Sequence, residues 1–144
     1  MDGLIIKMLV KEIMVKDVIS IRPNDTVYNA CVKYKDKKVG CLLVTDSEGD
    51  CVGIVTERDF IERIICTRKD PDKTKVSEIM STEMITIHAL DRIEKAAETM
   101  LKYRIKKLPV IANNKIVGII TVTDLSREIP DFSRKYCEFC ASPD

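Results

Sequence analysis

The sequence predicts an α+β fold in which a strand-helix-strand-strand-helix unit is written twice along one chain. Three observations carry this. "VKEIMVKDVISIRPNDTVYNA" (10–30) lies against "VSEIMSTEMITIHALDRIEKA" (76–96) so that Val, Glu-Ile-Met, two Ile, Asp and Ala coincide. "VGCLLV" (39–44) then faces "IKKLPV" (105–110), and "CVGIVTERDF" (51–60) faces "IVGIITVTDL" (116–125), with one residue dropped in the second copy's turn. Between the copies runs "CTRKDPDKTK" (66–75), polar, charged and interrupted by a proline, which reads as a linker.

The elements follow in order. A helical turn around "EIM" leads into a short apolar strand, "VISI" or "MITI". "RPNDTV" and "HALDRI" open a helix, with Asp25–Thr26 and Asp91 as expected N-terminal caps. In the second copy Ile93, Ala96, Ala97, Met100 and Leu101 fall at helical spacing with Glu and Lys between them. Two β-rich runs follow, "GCLLVTD" and "CVGIVT" joined by "SEGD", or "KLPVIA" and "IVGIIT" joined by "NNK". A second helix begins after Thr56 or Thr121. Units of about fifty-five residues are small to fold alone, so the copies are expected to pack on each other. The expected organisation is a first repeat over 1–65 with an N-terminal helical segment, a linker over 66–75, a second repeat over 76–129, and a tail over 130–144.

Composition excludes several classes. The 144 residues are 45% apolar and 33% charged, a globular balance. Lys plus Arg (24) nearly cancels Asp plus Glu (23), so no general attraction toward nucleic acid or anionic membrane is expected. Lys7 and Lys11 interrupt the apolar N-terminal stretch; no run spans a bilayer and no signal-peptide pattern appears. The expected location is the cytoplasm. In that setting Cys31, Cys41, Cys51 and Cys66, scattered among apolar residues, read as buried thiols.

The repeated Gly-h-h-Thr-x-x-Asp has two readings. Thr-x-x-Asp at a helix start is a capping box, and Asp in the first turn suits the helix dipole. The motif also follows a strand at its C-terminal edge, where free N–H groups of a helix start can hold phosphate. Gly53 and Gly118 let something approach the backbone closely. A Thr hydroxyl can donate to a ribose or phosphate oxygen, and an Asp carboxylate matches the two hydroxyls of a ribose.

With these motifs in tandem, the chain resembles a pair of cystathionine-β-synthase (CBS) domains, a Bateman module, over residues 10–129. The resemblance implies two β-α-β-β-α repeats packed as a pseudo-twofold pair, with two clefts between them that bind adenosyl ligands: AMP, ADP, ATP or S-adenosylmethionine. It implies regulation rather than catalysis, with no required cofactor. The ligand residues it implies are Thr56, Arg58 and Asp59 at one cleft and Thr121, Thr123 and Asp124 at the other. Ser20 and Thr86, with neighbours Ile19 and Ile85, would flank the base. Lys106 and Lys107 would reach phosphates at the first cleft; their first-repeat equivalents, Gly40 and Cys41, carry no charge, and Arg58 is replaced by Thr123 in the second motif. The resemblance also implies a homodimer, paired through the helices after each motif, where Phe60, Ile61, Ile64 and Ile65 would make one apolar face. With no effector domain in view, output would pass through an unknown effector protein. The rival reading is a structural or dimerisation module with vestigial clefts.

Other constellations carry less. His88, the single histidine, opens a helix and reads as solvent-facing or locally bonded; no nucleophile–base pair, P-loop or dinucleotide fingerprint is visible. Cys137-x-x-Cys140 in the tail supplies two of the four ligands a structural zinc needs, which two tails in a dimer would complete; the alternatives are a mobile tail or a redox pair.

Overall fold

A computed structural model of the chain describes residues 7–141, with side chains through residue 138. In chain order the elements are α1 (Val10–Ile13), β1 (Ser20–Ile21), α2 (Val27–Lys37), β2 (Cys41–Thr45), β3 (Cys51–Thr56), α3 (Glu57–Phe60), β4 (Ile87–His88), α4 (Ile93–Tyr103), β5 (Lys107–Ala112), β6 (Lys115–Thr121), α5 (Val122–Glu128) and α6 (Phe132–Ala141). A π-helical turn, Ile61–Ile65, continues α3, and a 3-10 turn spans Val76–Glu78. These elements form two compact units: Val18–Met84, and Met1–Asp17 together with Ile85–Asp144.

Each unit is built on a three-stranded sheet, in the order β1-β2-β3 or β4-β5-β6. The outer strand from the start of the repeat runs parallel to the central strand, and the hairpin partner runs antiparallel. The expected strands "VISI" and "MITI" shorten to two paired residues each. β2 is buried at four successive positions, Cys41 to Val44, as a central strand covered on both faces should be. The hairpins turn differently: Asn113 and Asn114 both take positive φ in a two-residue turn, whereas Asp46 Oδ1 accepts from the Glu48 and Asp50 N–H groups to close the longer turn.

The helices carry the cores. In α4, Ile93, Ala96 and Met100 are fully buried beside Leu108, Val110 and Ile120. In the other unit Val27 and Ala30 of α2 meet Leu42, Val44 and Val55. Thr26 caps α2, its Oγ1 accepting from Asn29 N at 3.1 Å. The expected cap at Asp91 is corrected: Arg92 holds that position with no side-chain cap, and Asp91 instead accepts from His88 N at 3.0 Å, tightening the preceding turn. Asp25 accepts from Arg22 N in the same way.

Two further expectations change. The apolar face of Phe60, Ile61, Ile64 and Ile65 divides: Phe60 and Ile64 are buried, while Ile61 and Ile65 are 46% and 69% exposed. Over its described residues the tail is not a loose segment either: Phe132 and Tyr136, one turn apart on α6, are 2% and 5% exposed within the core of their unit.

Each Glu-Ile-Met turn docks on the unit that contains the other repeat's sheet. Val10 N donates to Asp91 O (2.8 Å) and Lys11 N to Ala89 O; Val76 N donates to Asp25 O (2.9 Å) and Ser77 N to Pro23 O. Glu12 and Glu78 close their turns by accepting from Leu9 N and Lys75 N. Val15 then bridges Ile119 of β6, and Ser81 bridges Ile54 of β3. Val10, Val76 and Ile79 are fully buried, each stabilising its unit by about 1.5–3 kcal/mol. Gly53 and Gly118 are now explained: what approaches them is this turn. A Cβ on Gly118 would lie 2.7 Å from Met14 Sδ and 2.8 Å from Val15 O; on Gly53, 2.7 Å from Met80 Sδ and 3.0 Å from Ser81 O. The sulfur can swing aside, but the carbonyl is fixed by its bridge. Gly118→Ala is therefore expected to destabilise the protein by about 1–3 kcal/mol in urea unfolding, and Gly53→Ala by less.

Candidate functional site

The β register gathers the sequence-derived residues at one end of each sheet. Thr56 ends β3 and stands opposite Cys41 at the start of β2. Ile19 and Ser20 lie at the start of β1, where Leu43 N donates to Ile19 O at 3.1 Å. Two strand spacings, about 10 Å, separate that strand from Thr56. In the other unit Thr121 stands opposite Lys107, and Ile85 and Thr86 lead into β4. Ile19 and Ile85 are half-buried against the cores of their units, so both have packing roles as well.

Both readings of Thr-x-x-Asp meet in one carboxylate. Asp59 is 6% exposed and Asp124 is 8% exposed, a degree of burial a carboxylate tolerates only when hydrogen-bonded. Oδ2 supplies the structural bonds: it accepts from Thr56 N at 2.8 Å and Thr56 Oγ1 at 3.3 Å, and in the second motif from Thr121 N at 2.9 Å and Thr121 Oγ1 at 3.0 Å. Oδ1 is left to an arginine on the same helix: Arg63 Nε lies 3.7 Å from Asp59 and Arg127 Nη1 lies 3.8 Å from Asp124. These arginine side chains are 50% and 72% exposed, so the pairs are loose and contribute little to stability. One oxygen holds the helix start, and the other has acceptor capacity to spare.

The expected phosphate site at the helix start is weakened in the second motif. Val122 N donates to Lys106 O at 3.0 Å, and Asp124 N to Thr121 Oγ1 at 3.3 Å. Two of the first N–H groups of α5 are thus satisfied within the fold.

The two units differ in charge and in backbone donors. Lys107 occupies the register position that Cys41 holds in the other unit. Pro109 replaces Leu43 and has no N–H, so the Ile85 carbonyl lacks the donor that Ile19 has. Arg58 is exposed and pairs with Glu62 at 3.1 Å across one helical turn.

A pocket of about 470 Å³ is lined by Lys106, Lys107, Thr121, Val122, Thr123, Tyr136 and Cys137. Lys106 and Lys107, expected at the first cleft, are thereby brought together with Thr121 and Thr123 inside one unit. Tyr136 and Cys137 come from α6, which sequence reasoning treats as a tail. The signal for a docked helix is present: Phe132 and Tyr136 are spaced by one helical turn.

The remaining candidates stand apart. His88 is exposed and its Nδ1 accepts from Leu90 N at 3.0 Å, a local bond. Of the four cysteines expected to be buried, Cys41 is buried, Cys31 and Cys51 are half-buried with their thiols pushed up by that burial, and Cys66 is exposed. Cys137 is an exposed thiol on α6; the Cys140 side chain lies outside the described residues, and with it the expected zinc pair. Among the described residues, Asp46, Glu48 and Asp50 are the group whose ligand atoms lie within 4.8 Å of one another, and Asp46 already accepts two backbone bonds there. Among the described residues, no helix is long and apolar enough to cross a membrane.

Because Oδ2 serves the fold, Asp59→Ala and Asp124→Ala should each lower unfolding stability by about 0.5–2 kcal/mol, while Asp→Asn, which retains an acceptor, should lose less. Urea denaturation of the four variants checks this.

Comparison with known proteins places these features. The CBS domain family matches the chain twice, over residues 10–66 and 76–131. The chain is 34% identical over 118 residues to the uncharacterized protein YlbB of Bacillus subtilis, covering 81% of this chain and 79% of that one. An uncharacterized conserved protein from Pyrococcus horikoshii is similar in structure, with a TM-score of 0.79 and 30% identity, covering 86% of this chain and 93% of that one. A hexameric CBS-CP12 protein from bloom-forming cyanobacteria gives a TM-score of 0.76 at 31% identity, covering 89% and 75% respectively.

Proposed function

The chain belongs to the CBS domain family, with both repeats present, and we propose that it is a regulatory module that binds an adenine nucleotide or another adenosyl ligand, among AMP, ADP, ATP and S-adenosylmethionine. The observation that carries this reading is the twin carboxylate. Asp59 and Asp124 are buried at the ends of two equivalent sheets, and each keeps Oδ1 apart from the capping bonds. A buried carboxylate acceptor beside a Thr hydroxyl suits the vicinal hydroxyls of a ribose. Ile19, Ser20, Ile85 and Thr86 supply the apolar and polar edge for a base. The Ile85 carbonyl, freed by Pro109, is an acceptor for an exocyclic amine. Thr56 with Arg58, and Thr123 with Lys106 and Lys107, would reach phosphates. Output passes to a protein partner through a change in conformation or affinity on binding.

Isothermal calorimetry with AMP, ATP and adenosine tests the assignment. Losing a charge-assisted hydrogen bond typically costs about 1.5–3 kcal/mol, roughly ten- to hundredfold in affinity. Asp59→Ala and Asp124→Ala should weaken all three ligands at their own sites, because ribose is common to them. The Lys106→Ala, Lys107→Ala double variant should weaken ATP and spare adenosine, with a loss that shrinks as salt rises. Unchanged binding in both aspartate variants would remove the ribose assignment.

A second reading, self-association, rests on Ile61 and Ile65. These two isoleucines stand outward one turn apart, 46% and 69% exposed, while their second-repeat counterparts are Ser126 and Pro130. A homodimer through this face is expected, and the hexameric relative shows that a CBS protein of this similarity can assemble. Ile65→Lys should shift the mass from dimer to monomer in light scattering; a monomeric wild type at the same concentration would overturn the reading.

A further inference from the structure

We propose that α6 is a wall of the ligand site in the second-repeat unit, and that its docking reports whether an anion is bound there. The inference rests on the adenosyl-ligand reading above and adds a regulatory element to it. The family match ends at residue 131 and α6 begins at Phe132, so the helix is an addition to the common repeat. It is nevertheless built into the fold. Phe132 and Tyr136 are buried in the core, their rings 6.2 Å apart, while Cys137 is exposed. Tyr136 and Cys137 then meet Lys106, Lys107, Thr121 and Thr123 around the pocket of about 470 Å³. That volume lies within the range of small-molecule sites. Two lysines and two threonines are among the residues around it, and no aspartate or glutamate is. Two cationic side chains beside the pocket with no acidic one among them favour an anion of the phosphate class as its occupant.

The consequence is thermodynamic. A ligand that touches both α6 and the sheet end binds the docked helix better than the undocked one, so it shifts α6 toward the docked state; by linkage, docking raises affinity by the same factor. The other unit has no such device: after the π-helical turn its chain enters the linker, and the positions of Lys106 and Lys107 are held by Gly40 and Cys41.

Peptide-resolved hydrogen exchange on the full chain tests this, with ATP, AMP and adenosine as probes and calorimetry alongside. ATP should slow exchange of the amides over 132–138 by about tenfold, the usual scale of such coupling, and adenosine should slow it much less. Cys137→Asp places a like charge on the wall without touching the core. It should remove the ATP protection and weaken ATP at that site by about tenfold, whereas Cys137→Ser should behave as wild type. If ATP binds wild type by calorimetry and exchange over 132–138 is unchanged, the role of α6 is overturned and the adenosyl reading stands. The role of α6 is overturned equally if Cys137→Asp retains the protection, or if adenosine protects as well as ATP. If no adenosyl probe produces heat or protection, both fail together.

Discussion

The fold depends on the seating of one short turn on one glycine, made twice. Val15 and Ile119 exchange two backbone hydrogen bonds of 2.8 and 2.9 Å, and Ser81 and Ile54 exchange two of 3.0 and 2.9 Å. These bonds occupy the outer edges of β6 and β3, which would otherwise present unpaired N–H and C=O groups. They form only because Gly118 and Gly53 leave room for the carbonyl and the methionine of the docking turn. Glutamate closes the turn, the isoleucine or its neighbouring valine enters the core, and methionine lies over the glycine. Each residue of the repeated Glu-Ile-Met thus has a task. The seating also joins the halves of the duplication: Val76 and Ile79 complete the core around the first repeat's sheet, and Val10 that around the second. Neither repeat, as a continuous stretch of sequence, contains all of its own core.

This exchange is hidden in the sequence for a physical reason. Val-x-Glu-Ile-Met appears in both copies, so either turn has the side chains to dock on either sheet, and pattern alone does not say which does. The strand and helix order is legible because burial imposes periods of 2 and 3.6 that differ. The capping role of Thr-x-x-Asp is legible because it is local, confined to four residues. The glycines read correctly as admitting a visitor, but the visitor is the chain itself. Phe60 to Ile65 read as one apolar stripe only at α-helical spacing; the π-helical turn widens the spacing and sends Ile61 and Ile65 to solvent. The docking of α6 is obscured because a C-x-x-C draws attention to sulfur, while Phe132 and Tyr136 carry the contact with the core.

Against this shared frame the two copies differ on an exposed helix face and in the central strand. Tyr28 and Val32 on α2 are exposed, and Glu94 and Glu98 take their places on α4. Cys41 becomes Lys107, and Leu43 becomes Pro109, a residue that a central strand seldom accepts because it removes a ladder bond. Both substitutions fall at the sheet end that carries Thr and Asp, and α6 closes on the same end. A change on a surface perturbs stability little; a proline in a central strand perturbs it more.

That concentration bears on how a single aspartate could serve both the fold and the proposed ligand. If Asp124 only closed the capping box of α5, an uncharged acceptor such as Asn would serve, since the Thr121 N–H needs one acceptor. Burying a full negative charge for that purpose alone is wasteful, because desolvation of a carboxylate exceeds the gain from one cap. The loose arginine at Oδ1, 3.8 Å away and mostly exposed, does not compensate it. A ligand with two adjacent hydroxyls would, by donating to the oxygen the cap leaves open. The same argument holds at Asp59, where the surrounding charges differ but the carboxylate and its two bonds from Thr56 do not. What the copies keep in common is therefore the carboxylate and its threonine, the pair on which the proposed ribose contact rests, and what they vary is the charge around it.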